Sequence, residues 1–263
     1  MSPSLRSLFV VCVVAVSTPA CAGSGCPKPG STPKQHSAWE AALDAKAVLS
    51  LDPAASIAIK RDVHNQIVSI DAKPLADALN AVLMDPKRRF GLIQIDRKQA
   101  TVGKPFSVGE RFQGRYSLEG AIVGALGDDV KRLFDTLKKE PAFADAICEI
   151  ENNHLSDYGV VSEIVLSPPD AREFRFSYRY LAGSPIAGSS TFVITQLEPG
   201  KSRVTQIFVY QEQSRAFADF FSTSGLKLHN QVVKSEISQA AALGGGEVLE
   251  SDVPAVPAKQ GAT

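Results

Sequence analysis

Hydrophobic and polar positions alternate most regularly in the second half of the chain. Phe174, Phe176, Tyr178 and Tyr180 fall on one parity and Arg175, Ser177 and Arg179 on the other. This period of two marks a strand with one buried and one wet face. Strands are expected at 146–152, 158–167, 173–181, 190–197 and 204–211. Turn-forming segments separate them, among them Ser167-Pro168-Pro169-Asp170, Gly183-Ser184-Pro185 and Glu198-Pro199-Gly200-Lys201. Links this short join antiparallel neighbours, so the second half reads as a meander.

The period changes after residue 214. From about 215 to 243 the spacing is helical: Lys227, Gln231, Lys234 and Ser238 form a solvated stripe. Phe217, Phe221, Leu228 and Val232 fall on a second side, and Leu226, Val233, Ile237 and Ala240 on a third. So much apolar surface places the helix deep against the sheet. Gly225 stands where the helix would kink or break.

The first half is mixed. Ser37, with Glu40 three residues on, starts a helix whose stripe is Trp39, Ala42, Leu43 and Ala47. Short strands are expected near 56–60 and 66–70, and another at 91–95. Between them Pro74 opens a helix through Leu75, Leu79 and Val82 that stops at Asp85-Pro86. In 110–118, Phe112, Tyr116 and Leu118 share one face of a strand. Asp128 and Asp129 then open a helix carrying Val130, Leu133, Phe134 and Leu137.

The N-terminus has a different pattern. Arg6, an apolar run from Leu8 to Val16 and a small-residue zone from Ser17 to Gly23 form a secretory signal. Thr18-Pro19-Ala20-Cys21 is similar to a bacterial lipobox, which would make Cys21 a lipid-modified N-terminus. The rival is plain cleavage after Ala22, with secretion into free solution. Residues 1–21 are thus read as signal, 22–36 as a Gly/Ser/Pro-rich tether, 37–243 as one α+β domain and 244–263 as a disordered tail. Export to the periplasm or outer membrane is the expectation. Cys26 and Cys148 are available to pair there, or to remain two free thiols.

Charge narrows the partners. With 28 basic and 28 acidic residues and no block of one sign, the chain lacks the basic face that nucleic acid demands. Contact with a membrane is therefore expected only through the N-terminal anchor, and the oligomeric state is left open.

The order of elements gives a further reading. The stretch Ile67-Val68-Ser69-Ile70-Asp71-Ala72-Lys73-Pro74 runs from a strand into a helix ending Met84-Asp85-Pro86, and Val108-Gly109-Glu110-Arg111-Phe112 starts the next strand. With the meander and the long last helix, this resembles the START-like (SRPBCC) superfamily, which includes polyketide cyclase/dehydratase-like and lipid-transfer proteins, over about residues 66–243. The resemblance implies a helix-grip fold: a curved antiparallel sheet wrapped around the C-terminal helix, here with an additional N-terminal helix. It also implies an apolar cavity between sheet and helix, binding a hydrophobic small molecule or lipid.

On that mapping the lining comes from Phe112, Tyr116, Phe174, Phe176, Tyr178, Phe192, Ile194, Phe208, Tyr210, Phe217, Phe221 and Leu228. Each is equally a core residue packing its neighbours. His229, beside Asn230 on the last helix, is the polar candidate for ligand contact or proton transfer.

Catalytic and metal signatures are missing. Gly200-Lys201-Ser202 resembles the end of a phosphate loop, but Thr195 stands where its first glycine belongs, so it reads as a turn. No G-x-S-x-G, H-E-x-x-H or C-x-x-C occurs, and His36, His64, His154 and His229 lack metal-ligand spacing. No cofactor or metal is expected. Glu149 and Glu151 share a strand face, read as solvated, and the glycine-dotted segment 119–127 reads as a buried connection or a mobile lid. A cavity enzyme would need a polar cluster, for which His229 with Tyr178 or Gln206 is the candidate. The remaining alternative is a structural or interaction module with a filled core.

Overall fold

The computed structural model describes residues 36–84, 93–101, 104, 106–116, 128–137, 139–140, 158–165 and 172–256. After helix α1 (His36–Ala45) come strand β1 (Lys60–Val68), helix α2 (Ala72–Met84) and strands β2 (Ile93–Arg97) and β3 (Glu110–Tyr116). Helix α3 (Asp128–Leu137) leads to the meander of β4 (Tyr158–Val165), β5 (Glu173–Tyr180), β6 (Ile186–Glu198) and β7 (Lys201–Glu212). The C-terminal helix follows in three continuous parts, α4 (Arg215–Phe220), a π-helical turn (Phe221–Gly225) and α5 (Leu226–Leu243), and then strand β8 (Val248–Ser251).

The strands form one antiparallel sheet in the order β2-β3-β4-β5-β6-β7-β1-β8. The register fixes one face. Phe174, Phe176 and Tyr178 of β5 stand opposite Ile194, Phe192 and Ser190 of β6. These in turn stand opposite Val204, Gln206 and Phe208 of β7, which face Gln66, His64 and Asp62 of β1. Residues paired across an antiparallel ladder project to the same side. The apolar run of β5 therefore continues over the middle of the sheet, interrupted by Ser190 and Gln206, and becomes mainly polar at β1.

The C-terminal helix and α2 cover that face. Leu75, Leu79 and Val82 of α2 and Leu228, Val233, Ile237 and Ala240 of α5 join Phe192, Ile194, Val204, Phe208 and Tyr210 in one buried cluster. Burial of this apolar surface is the main force holding helix to sheet. Ser214 starts the helix: it is extended, and its Oγ accepts a 3.2 Å hydrogen bond from the Phe217 amide. The expected interruption at Gly225 is a π turn rather than a break. A Cβ on Gly225 would lie 2.7 Å from the Phe221 ring and 2.9 Å from that of Phe220, so only glycine lets both rings pack there. This is the α+β helix-grip architecture, with α1 as an additional N-terminal helix.

Three expectations need correction. The two short strands foreseen near 56–60 and 66–70 are one strand, β1, disguised because its inward positions include Asp62, His64 and Gln66. The segment 244–263 is not wholly a tail: β8 pairs with Gln66–Val68, and Val253 is buried. Gln231 does not belong to a solvated stripe, because the chain after β8 crosses it and the Pro254 carbonyl accepts from its Nε2 at 2.5 Å. The strand foreseen at 146–152, the segment 119–127, Cys21, Cys26, Cys148, His154, Glu149 and Glu151 lie outside the described residues.

Two cations hold the end of the additional helix: Lys98 pairs with the Asp44 carboxylate, and Arg111 binds the backbone. Arg111 Nη1 donates to the carbonyls of Leu43 at 3.1 Å, Lys46 at 2.7 Å and Asp44, at the negative end of α1. Arg111→Ala should cost about 1–2 kcal/mol and expose residues before 50 to proteolysis, since charge-assisted bonds to orphan carbonyls are lost. Unchanged cleavage kinetics in limited proteolysis would refute this role.

Candidate functional site

Exposure grades across the covered face. Over β6 and β7, Phe192, Phe208 and Tyr210 are sealed beneath Phe221 and Leu228 of the C-terminal helix. Phe208 stacks on Tyr210 at 4.4 Å and on His229 at 4.5 Å, and meets Phe221 edge-on at 6.1 Å. Phe112 of β3 is also buried, its ring 5.2 Å from that of Phe106. On β5, by contrast, Phe174, Phe176 and Tyr178 are only half-buried, as are Leu226 and Val232 of the helix. The lining residues inferred from sequence thus divide into a packed half and an open half. Tyr116 is on β3, opposite Ile93; its side chain is outside the described set.

A polar cluster lies within this aromatic surface. Gln206 Nε2 donates to Ser190 Oγ at 3.2 Å, and Ser190 in turn hydrogen-bonds the Tyr178 hydroxyl. Burial pushes the Tyr178 phenol up to about 12, against hydrogen bonds from Ser190 and Tyr180 and with the added influence of the Glu236 carboxyl. Tyr178 is therefore neutral over the physiological range. Glu236, on α5, is 3% exposed and its Oε1 has no hydrogen-bond partner in the protein. Desolvation raises this carboxyl well above its ordinary range and so favours the neutral acid. Gln206 Oε1 and both side-chain polar atoms of Gln66, residues 0% and 1% exposed, are unpartnered too.

Buried polar atoms normally find partners. Here several from β1, β7 and α5 leave hydrogen-bonding capacity unused within the same buried layer. Desolvation also lowers the pKa of His229, keeping it neutral, while its Nδ1 contacts Asn230 Oδ1 at 3.0 Å. Asn230 Nδ2 reaches His64 Nε2 at 2.7 Å, and His64 lies 3.0 Å from Asp62 and 3.3 Å from Asp252. These contacts tie the segment after β8 to the helix and belong to the sheet edge rather than to the open side.

Sequence reasoning singled out Tyr178, Gln206 and His229 but missed Glu236, Gln66 and Ser190. Glu236 reads as one more charge on a surface helix, although positions 229, 233, 236 and 240 form one helical face that contains Val233 and Ala240. That spacing was the available signal. Gly200-Lys201-Ser202 is a turn, with Gly200 at φ +74° between β6 and β7, and Gln196 Nε2 and the Gly200 amide both donate to Asp71 there, at 2.8 and 2.7 Å. Among the described residues, no group of His, Cys, Asp and Glu is arranged to hold a metal, and no helix is long and apolar enough to cross a membrane.

No family model and no curated protein matches the chain. Solved structures do. A norcoclaurine synthase point mutant from Thalictrum flavum is similar at 11% identity, over 73% of this chain and 99% of that one, with a TM-score of 0.40. The Zhui aromatase/cyclase from Streptomyces sp. R1128 is similar at 11% identity, over 71% and 94%, with a TM-score of 0.43. A hypothetical protein from Helicobacter pylori is similar at 11%, over 83% and 99%, with a TM-score of 0.41. The fold class is read from this chain's own strand order and helix placement: an antiparallel sheet covered by a long C-terminal helix, the α+β helix-grip architecture.

Proposed function

We propose that this chain is an exported protein, tethered to the envelope through lipid on Cys21, that binds or carries an apolar, lipid-like ligand between its sheet and C-terminal helix. The observation that carries the binding reading is the half-open aromatic strip Phe174, Phe176 and Tyr178 beside a fully packed core. An apolar surface left partly open between two elements, with a few convergent polar groups, is the usual form of a small-molecule site. Export and anchoring rest on Arg6, the apolar run from Leu8 to Val16 and the lipobox-like Thr18-Pro19-Ala20-Cys21.

Titration of the full chain with the neutral dye N-phenyl-1-naphthylamine tests the binding half. Saturable one-site fluorescence is expected, weakened about tenfold by Phe176→Ala through loss of apolar contact. Val108→Ala, at an exposed turn, should leave it unchanged. Weak, non-saturating fluorescence that ignores Phe176→Ala would reject the site and favour a structural module. The anchoring half predicts incorporation of labelled fatty acid, abolished by Cys21→Ser.

A further inference from the structure

A chain of polar contacts leads from the aromatic layer, through α5 and β1, to the segment after β8. His229 Nδ1 meets Asn230 Oδ1 at 3.0 Å, and Asn230 Nδ2 meets His64 Nε2 at 2.7 Å. His64 Nε2 also lies 3.0 Å from Asp62 Oδ2, and its Nδ1 lies 3.3 Å from Asp252 Oδ1. The atoms set the direction of each link, because an amide nitrogen donates and an amide oxygen accepts. His64 Nε2 therefore accepts from Asn230, and its proton sits on Nδ1, towards Asp252. His229 carries its own proton on Nδ1, towards Asn230 Oδ1. One atom is left out: Asp62 Oδ2 is buried, faces the Nε2 lone pair and has no hydrogen-bond partner.

A proton on His64 Nε2 reverses this chain. Nε2–H then donates to Asp62 Oδ2, giving that oxygen its partner, and no longer accepts from Asn230 Nδ2. Turning over the Asn230 amide removes the clash of two donors. It also brings Nδ2 to His229 Nδ1, which must then be unprotonated. An imidazole changes charge between about pH 5 and 8. His64 is the ring placed to take the proton, with a carboxylate beside each nitrogen. His229 instead lies against Phe208 and Phe221, where desolvation holds its pKa down and a charge on His64 lowers it further. Opposite His64 on β7 stands the neutral Gln206, so Asp62, Asp252 and His229 are the titratable groups facing it among the described residues.

We propose that His64 and Asn230 form a proton-operated relay that sets the tautomer of His229: Nδ1–H while His64 is neutral, Nε2–H once His64 is charged. The proton taken up stays on His64. His229 only exchanges its own proton from one ring nitrogen to the other, so its charge is unchanged. Its Nε2, the ring nitrogen away from Asn230, is an acceptor above the transition and a donor below it. The sheet edge thus controls the hydrogen-bonding sense of one point in the aromatic layer, whether or not that layer holds a ligand.

NMR of the full chain carrying isotope-labelled histidine reads the tautomer and charge of each ring. Between about pH 8 and about pH 5, His229 should pass from the Nδ1–H to the Nε2–H pattern without becoming an imidazolium, at the midpoint where His64 charges. His64→Gln should hold His229 in one tautomer throughout, and Asn230→Leu should let His64 titrate with no response at His229. Circular dichroism checks that both variants are folded. The native series is decisive by itself: a His229 tautomer that stays fixed, a His64 that takes no proton, or a proton taken up directly by His229 would each overturn the relay. A tautomer change that persists in His64→Gln would overturn it as well, by assigning the effect to another group.

Discussion

Phe208→Ala should destabilise the protein by about 3–5 kcal/mol, the range for deleting a fully enclosed aromatic ring. Phe208 is fully buried, stacked between Tyr210 and His229 and edge-on to Tyr180 and Phe221. These ring neighbours belong to β5, β7 and the C-terminal helix, so no single element can shift to fill the space. Part of the loss is transfer free energy and part is the cavity left behind. For a domain of this size the midpoint should fall by roughly 10 °C or more. Leu243→Ala, at the exposed end of α5, should stay within about 0.5 kcal/mol. Chemical denaturation reads both, and a Phe208→Ala cost below about 1 kcal/mol would show that the helix does not grip the sheet there.

Glu236 should make stability fall as pH rises. Its ordinary value is 4.5, and burial raises it well above that in the folded protein. Below about pH 4.5 both folded and unfolded chains hold the proton, and the group costs nothing. Above it the unfolded chain releases the proton while the folded chain keeps it, so ionisation favours unfolding. The expected slope is about 1.4 kcal/mol per pH unit until the folded-state value is reached. Glu236→Gln removes this dependence, so its stability advantage over the native chain should be small at pH 4 and widen as pH rises, until the raised folded-state value is passed. His229 titrates with the opposite sign, losing stability as pH falls below its ordinary 6.5, but it is present in both proteins and largely cancels in the difference. A difference flat from pH 4 to 8 would mean that Glu236 ionises freely in the folded protein.

The parts of this fold that were legible from sequence are those where burial and periodicity agree. Phe174 to Tyr180 alternate cleanly because the outer face of β5 carries Arg175 and Arg179, and both are exposed. The long C-terminal helix announced itself because two of its sides are apolar, and Gly225 marked its irregular turn. Strand β1 was obscured because its inward side chains include Asp62, His64 and Gln66, which break the apolar alternation while hydrogen bonding to β7 holds the strand in place. Strand β8 is four residues long with Leu249 exposed, too little pattern to separate from a tail; backbone pairing to β1 and the Asn65 bonds to Asp252 hold it. At the candidate site, Tyr178 and Gln206 could be proposed from their places on an aromatic face. Glu236 could not, because a lone glutamate among Lys234, Ser235 and Ser238 looks like solvated surface until the sheet is seen to lie over it.

The central claim, that the open side of the covered face holds an apolar ligand, is tested most directly on protein purified in full from a bacterial host. Its organic extract, analysed by mass spectrometry against a Phe176→Ala control, should contain one apolar compound near one equivalent, depleted in the variant. A folded protein whose extract is empty, or whose bound lipid is the same with Phe176→Ala, would contradict the account and leave the helix-grip as a filled structural core.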